Sequence, residues 1–292
     1  MSRGFIPGGP SHTELMNEGM TMAATPTFAT PPVMELVLGA QFSPLTKLTA
    51  GHFGLFWKEL GADWVEPSDG PVLDDQFELF DHPRWSMPDA IHFRLEPVRL
   101  PGRFVIEHRS KDRLIQVQGT RFHLNWRKRD DFYPSYKNLI AEFETTFARF
   151  AAFAERSGLG SPALNQWELT YIDSFPREEY WQTPADWSRF LPGLFGSLFP
   201  TDELGVVLEH RVAEWSYEIE PKRGRLHIAA RPGRWGDDKR DSLLLQMTAR
   251  GPVGKGGAET LRAGLDLGHT AAVGAFLRVV DKGSQLRWGT KQ

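Results

Sequence analysis

The stretch PPVMELVLGAQF at residues 31–42 decides the fold, because a second stretch, NQWELTYIDSF at residues 165–175, repeats its pattern. The first predicts a buried strand from Met34 to Phe42, and its two prolines set an extended entry. Each stretch is followed by a helical segment, further strands and another helix. Residues 33–156 and 166–281 therefore both predict the order strand, helix, antiparallel strands, helix.

This order predicts an α+β protein made of two pseudo-repeated halves, residues 31–160 and 161–292. The halves either form two lobes around a groove or pack into one continuous sheet with helices on one face. Residues 1–30 are rich in Gly, Pro, Ser, Thr and Met and show no periodicity. They predict a disordered or weakly docked N-terminal arm.

Three helices are predicted from apolar residues at helical spacing. AGHFGLFWKELG at residues 50–61 places apolar side chains on one face and ends at a glycine. YPSYKNLIAEFETTFARFAAFAERSGLG at residues 133–160 gives the strongest pattern. Its apolar stripe, which we interpret as core packing, consists of Leu139, Phe143, Phe147, Phe150 and Phe153. GHTAAVGAFLRVVD at residues 268–281 predicts the last helix, with His269 at its start.

The strands of each half follow its first helix. Residues 62–90 are acidic, with prolines at positions 67, 71, 83 and 88, and predict a long surface excursion. The first half then resumes with three strand patterns, AIHFRLEP, RFVIEHR and RLIQVQGTRFHLNW. The second half carries short helices in PADWSRFLPGLFGSLF. Its strand patterns are VVLEHRVAEWSYEIE, GRLHIAARPG and DSLLLQMTARG.

Composition excludes several classes of protein. Hydrophobic residues make up 40% and charged residues 24% of the 292 residues, as in an ordinary soluble chain. Cysteine is absent, which excludes disulfides and thiolate metal sites. No apolar run approaches the ~20 residues of a membrane-spanning helix, and the N-terminus lacks the apolar region of a signal peptide. We therefore expect a cytoplasmic protein with no membrane partner.

Charge is distributed in blocks of opposite sign. Residues 59–96 hold ten acidic and two basic residues, a local charge of −8. Residues 99–129 hold nine basic and two acidic residues, or +7, and residues 222–250 hold eight basic and three acidic, or +5. Such blocks either satisfy each other on the surface or leave a positive face for an anion or nucleic acid.

Polar and aromatic residues are concentrated where the strand pattern passes into the helix at residues 133–160. This cluster consists of Gln118, Arg121, Asn125, Trp126, Arg127, Tyr133 and Tyr136. Arginine offers a planar fork for carboxylate or phosphate, and tyrosine and tryptophan offer stacking faces with polar tips. Alternation along the strand places Phe122, Leu124 and Trp126 on one face and Arg121, His123, Asn125 and Arg127 on the other. The second face is a candidate binding surface or a tie between sheet and helix.

Several of these segments resemble a known family. PPVMELVLGAQF, QGTRFHLNWR at 118–127, YPSY at 133–136, LDLGHTAAVGAF at 265–276 and the terminal WG at 288–289 carry the likeness. The chain resembles a sporadically distributed, functionally uncharacterised bacterial protein family with an opening PP-x-x-E-x-x-x-G-x-Q-F strand and an N-W-R…Y-P-x-Y junction. The resemblance implies a bacterial source. A patchy distribution is typical of accessory genes, including defence loci.

The leading hypothesis is a non-enzymatic binding protein that recognises a protein partner or a small anionic ligand. The predicted binding residues are Arg121, Asn125, Arg127, Tyr133, Tyr136 and His269. No cofactor is predicted, since GPVGKGG at 251–257 lacks the P-loop pattern. No metal site is predicted either, because the nine histidines show no paired ligand spacing.

Two alternatives belong to other classes. The first is an enzyme whose acid–base residues are Glu35, Asp266 and His269. Glu35 lies inside an apolar strand and needs a cationic partner, for which Arg121 and Arg127 are candidates, and Asp266-x-x-His269 has the spacing of an acid-oriented base. The second alternative is nucleic-acid binding through the basic hairpins at 99–129 and 222–250.

Overall fold

A computed structural model describes residues 27–65, 67–80, 102–130, 132–196, 205–235 and 239–291. The strands are β1 (Thr27–Phe28), β2 (Val33–Phe42), β3 (Ser68–Gly70), β4 (Arg103–Glu107), β5 (Arg113–Gln118), β6 (Arg121–Arg127), β7 (Leu164–Pro176), β8 (Ala213–Ile219), β9 (Gly224–Trp235), β10 (Arg240–Pro252) and β11 (Thr290–Lys291). The helices are α1 (Ala50–Leu60), α2 (Tyr136–Arg156), α3 (Trp187–Phe190), the single turn α4 (Glu220–Arg223), α5 (Ala258–Val279) and α6 (Lys282–Arg287), with a 3₁₀ turn at Pro184–Asp186.

The protein is α+β, as predicted, and is organised around one nine-stranded sheet. The strand order is β3-β4-β5-β6-β2-β7-β10-β9-β8, and neighbouring strands pair antiparallel. The two opening strands, β2 and β7, pair with each other at the centre, from Val33↔Asp173 to Phe42↔Leu164. The halves therefore share a sheet and do not face each other across a groove. Pairing satisfies the backbone groups that two separate sheets would leave at their edges.

Strand order within the halves follows one scheme. In residues 31–160, β2 pairs with β6, β6 with β5 and β5 with β4. In residues 161–292, β7 pairs with β10, β10 with β9 and β9 with β8. Outside this sheet, β1 pairs with β11, so the end of the predicted N-terminal arm contacts the end of the chain. Residues 1–26 and the predicted strand AIHFRLEP lie outside the described residues.

The helices α1, α2 and α5 form a layer on one face of the sheet. Phe53, Phe56 and Leu60 of α1 are buried, and Gly61 ends the helix with φ of 97°. The phenylalanine stripe of α2 is buried as predicted, and Phe150 lies 5.4 Å from the Phe122 ring of β6. None of the described helices is both long and apolar enough to cross a membrane.

Helix α5 begins ten residues before the predicted start at residue 268. His269 therefore lies in the middle of α5 and not at its start. Gly264 and Gly268 are weak helix formers, but in α5 they allow the helix to approach the Trp167 indole of β7. A Cβ at Gly264 would overlap that ring, and a Cβ at Gly268 would lie 2.8 Å from it.

Candidate binding site

The face of the sheet opposite the helices is polar. Phe122, Leu124 and Trp126 of β6 belong to the core beneath α2, as alternation predicted. Arg121, His123, Asn125 and Arg127 point to the other side, where β2, β7, β10 and β9 add further polar side chains at paired positions. We call this surface the polar face.

Glu35 is held on the polar face by two residues of β6. Asn125 donates to its carboxylate at 2.6 Å and Arg127 at 3.2 Å, so of the two candidate partners Arg127 forms the ion pair, whereas Arg121 bonds elsewhere. The carboxamide oxygen of Asn125 accepts a further hydrogen bond from Gln116. Asn125 is thus buried with its amide engaged on both sides, whereas the Arg127 side chain remains 37% exposed.

Residues 71–80, which we call the strap, lie across this face. The strap belongs to the acidic excursion and has no regular secondary structure. Gln118 accepts a hydrogen bond from the Leu73 N–H at 3.0 Å and donates to the Leu73 carbonyl at 2.8 Å. Gln41 does the same for Gln76, at 2.9 and 3.2 Å. Two side-chain amides therefore replace the backbone of a neighbouring strand.

Arg121 connects these two contacts. Its guanidinium donates to the Asp74 carbonyl at 2.7 Å and to the Gln41 side-chain oxygen at 2.7 Å. The second bond orients Gln41 toward the strap. Arg121 is buried, and burial lowers the pKa of its guanidinium. Arg121 therefore binds the backbone of the strap, and it is not exposed to solvent as the predicted binding surface required.

The strap ends among two arginines and a histidine of β9 and β10, which we call the cation cluster after its two guanidinium groups. The carboxylate of Glu78 lies 3.0 Å from Arg225, 2.7 Å from His227 and 3.2 Å from Arg250. The guanidinium of Arg225 also lies over the Phe80 ring, 4.6 Å from its centroid. Burial alone would raise the pKa of Glu78, but the His227 hydrogen bond and the nearby charges lower it to about 2. The cluster is a preformed site for a carboxylate.

The other predicted residues lie beneath the opposite face, in a cavity of about 520 Å³ between α2, α5 and the central strands. Tyr136 stacks on His269 with ring centroids 3.9 Å apart and donates to Asp266 at 2.8 Å. His269 bonds through Nδ1 to the Tyr171 hydroxyl at 2.8 Å. Tyr133 lines the same cavity and contacts the Trp126 ring.

The structure thus divides the six predicted binding residues between the two sides of the sheet. Arg121, Asn125 and Arg127 lie on the polar face, and Tyr133, Tyr136 and His269 lie on the helix side. Because Glu35 shares a face with Arg127, the sheet separates it from Asp266 and His269. Asp266 accepts hydrogen bonds from Tyr136 and Arg262, and neither bond orients His269. The three proposed acid–base residues are not assembled in one site.

A comparison with protein-family models and with curated proteins finds no match to this chain. Within the described ranges, no group of three or more His, Asp or Glu residues has an arrangement suited to a metal ion.

Sequence reasoning missed the residues that connect the two charge blocks. Glu78 belongs to the acidic stretch, and Arg225 and Arg250 belong to the second basic stretch, so their opposite charges were visible. Their pairing required the fold, because the strap passes over the sheet from β5 to β9 to reach them. Asp173 in the cavity was also missed, although a carboxylate in the apolar run LTYIDSF carries the same signal as Glu35.

Proposed function

We propose that this protein is a non-enzymatic binding protein whose polar face recognises an extended acidic segment of a protein partner. The observation that carries the proposal is the position of Glu78 among Arg225, His227 and Arg250. In this proposal the strap is a built-in ligand, and the partner segment takes its place.

The mode of contact supports recognition of a peptide in extended form. Gln118 and Gln41 each bond the N–H and the carbonyl of one residue, Leu73 and Gln76, three positions apart. Such contacts bind the peptide backbone and are compatible with many different side chains, as in strand addition to a sheet edge. Specificity then comes from the cation cluster, which accepts an acidic side chain two residues after the second backbone contact.

The strap also has the character of an exchangeable segment. Val72, Phe77 and Leu79 are 54%, 51% and 50% exposed, so its apolar side chains do not enter the core. Its contacts are hydrogen bonds, ion pairs and the contact of Arg225 with the Phe80 ring, and an incoming acidic peptide with a matching aromatic residue reproduces them with little net loss. Exchange is therefore favoured over the docking of a partner on top of the strap.

Fluorescence anisotropy with a labelled peptide of the strap sequence, PVLDDQFELF, tests the proposal. We expect weak binding to the wild-type protein and binding at least about tenfold tighter to Glu78→Gln, because its own strap has lost a charge-assisted hydrogen bond. A control peptide with glutamine at the position of Glu78 should bind poorly to both proteins.

A matched pair of arginine variants locates the site. In the Glu78→Gln background, Arg225→Ala should abolish capture of the peptide, whereas Arg234→Ala should not, since Arg234 is 72% exposed and pairs with Asp241. If folded Glu78→Gln protein binds the peptide no better than wild type, the strap is a permanent part of the fold and the proposal fails. Retention of nucleic acid in place of the peptide would instead support the basic hairpins at 99–129 and 222–250.

We further propose that the two halves arose by internal duplication. The strand pairings support this: Glu35 lies opposite Arg127 of β6 and Glu168 lies opposite Arg250 of β10, and Val37↔Thr170 lies midway between the two glutamates. The ion pairs of the two glutamates occupy corresponding positions in the two halves.

Glu35 pairs with Arg127 at 3.2 Å, and Glu168 pairs with Arg250 at 3.4 Å. The duplication predicts that residues 31–160 expressed alone form a homodimer through β2, with Val37 at the twofold axis. Light scattering measures the mass, and a folded monomer would contradict the idea.

A further inference from the structure

Asp173 carries a buried carboxyl group that has no hydrogen-bond partner within the part of the chain that the structure describes. It lies on the helix side of β7, is 4% exposed and lines the 520 Å³ cavity. Among the described residues, none donates a hydrogen bond to its carboxylate. Buried polar groups are nearly always paired, so an unpaired carboxyl facing a cavity indicates a missing ligand.

The strand geometry next to Asp173 is irregular. The pairing of β2 with β7 shifts register between Val33 and Glu35, directly opposite Ile172 and Asp173. Such bulges re-aim side chains and are enriched beside functional sites. The irregularity lies at the point where the cavity meets the sheet.

The cavity wall is apolar and aromatic apart from a few polar groups. Phe28, Met247, Ala272 and Phe276 supply apolar surface, and Tyr133 and Tyr136 supply ring faces. The other titratable groups that line it are Tyr133, Tyr136, Tyr171, His269 and Lys137. His269 is bonded through Nδ1, which leaves Nε2 without a partner in the described part of the chain.

Of the titratable groups described in the cavity, Asp173 is the one whose charge we expect to change when a cation binds. Burial raises the pKa of Asp173 to about 8. Burial lowers the pKa of His269 to about 4 and raises the pKa of Tyr133 to about 12. At neutral pH the cavity is therefore lined by a protonated Asp173, a neutral imidazole and neutral phenols, whereas Lys137, which also lines it, is exposed to solvent.

We propose that this cavity binds a small organic cation, an ammonium or amidinium group on an apolar body, with Asp173 as its anionic anchor. The cationic end ionises Asp173, whose proton passes to solvent, and the ring faces of Tyr133 and Tyr136 favour the same charge. The apolar body contacts Met247, Ala272 and Phe276. This site is separate from the polar face and does not depend on the proposed peptide.

Isothermal titration calorimetry with benzylamine and with uncharged benzyl alcohol tests the proposal on the full-length protein. We expect benzylamine to bind the wild-type protein at least about tenfold more tightly than benzyl alcohol. Titrations at pH 7 in phosphate and in Tris, which differ in ionisation enthalpy, should show release of about one proton per benzylamine bound.

Two variants test whether Asp173 itself, and not the overall negative charge of the protein, anchors the amine. Asp173→Asn should lose both the preference for benzylamine and the proton release, whereas Asp241→Asn, which does not line the cavity, should retain both. Equal affinity of the wild-type protein for the two probes, or no binding of benzylamine, would overturn the proposal even if Asp173→Asn fails to fold. Unchanged proton release in folded Asp173→Asn would overturn it as well.

Discussion

The carboxylate of Glu78 lies 3.0 Å from Nη1 of Arg225, a residue 147 positions later in the chain. Both side chains are buried, and His227 and Arg250 complete the surroundings of the carboxylate. A carboxylate is stable in such a position only when cations and hydrogen bonds replace its water. The acidic excursion is therefore fixed on the polar face at Glu78.

Removal of the Glu78 carboxylate should destabilise the protein. Glu78→Ala leaves Arg225 and Arg250 without their shared anion, and we expect a loss of about 2 kcal/mol in the free energy of unfolding at pH 7. Urea unfolding followed by circular dichroism measures this loss. Glu214→Ala is a suitable control on the neighbouring strand β8, because Glu214 is exposed.

Acid should weaken the same contact in the wild-type protein. The pKa of Glu78 is lowered from 4.5 to about 2, so the unfolded chain binds a proton more readily than the folded one. The stability that this ion cluster contributes is complete above about pH 4.5 and is lost as the pH falls toward 2. The difference in stability between the wild-type protein and Glu78→Ala should therefore shrink over that range. A constant difference would contradict the assignment.

Asp173 should give the opposite pH dependence. Its pKa is raised from 3.8 to about 8, so the folded protein binds the proton more tightly than the unfolded chain. Stability should fall as the pH rises between these values, by up to about 1.4 kcal/mol per pH unit. Asp173→Asn cannot ionise and should become more stable than the wild-type protein by pH 8. Thermal unfolding of both proteins from pH 5 to 8 gives the comparison, and parallel curves would count against the raised pKa.

The glycines of α5 should differ sharply in their tolerance of a methyl group. Gly264→Ala and Gly268→Ala force atoms into the Trp167 ring, and each should cost about 1–3 kcal/mol. Gly274 is the matched control, since its nearest contact is the flexible Arg278 side chain at 3.4 Å. Gly274→Ala should stabilise the protein by up to about 1 kcal/mol, because alanine favours the helix. Chemical denaturation of the three variants checks the order.

Asn125 and Arg127 should prove unequal, although both were predicted binding residues. Asn125→Ala leaves the buried Glu35 without its 2.6 Å donor and should cost about 1–3 kcal/mol of stability. Arg127→Ala should cost less than about 1 kcal/mol, because the Arg127 side chain is partly exposed and its ion pair is screened. If denaturation shows equal losses, Arg127 is as structural as Asn125.

The local pattern of the sequence was sufficient for many elements. Strand β2, helix α1, helix α2 and the alternation along β6 follow from periods of 2 and 3.6 residues and were predicted close to their observed bounds. The ion pair of Glu35 with one of the two arginines could also be predicted, because a carboxylate in an apolar strand requires a cation, and the structure gives Arg127. The start of α5 was placed too late because Gly264 and Gly268 have a packing role that only Trp167 explains.

By itself, the sequence determined the α+β class and the face of β6 that is polar, since both depend on residues close together in the chain. Only the tertiary structure decided that β2 and β7 join the halves into one sheet, that Glu78 reaches Arg225 and that Tyr133 and Arg127 lie on opposite sides. These relationships bring together residues far apart in the chain. Strand pairing and burial select them among many arrangements with the same local pattern.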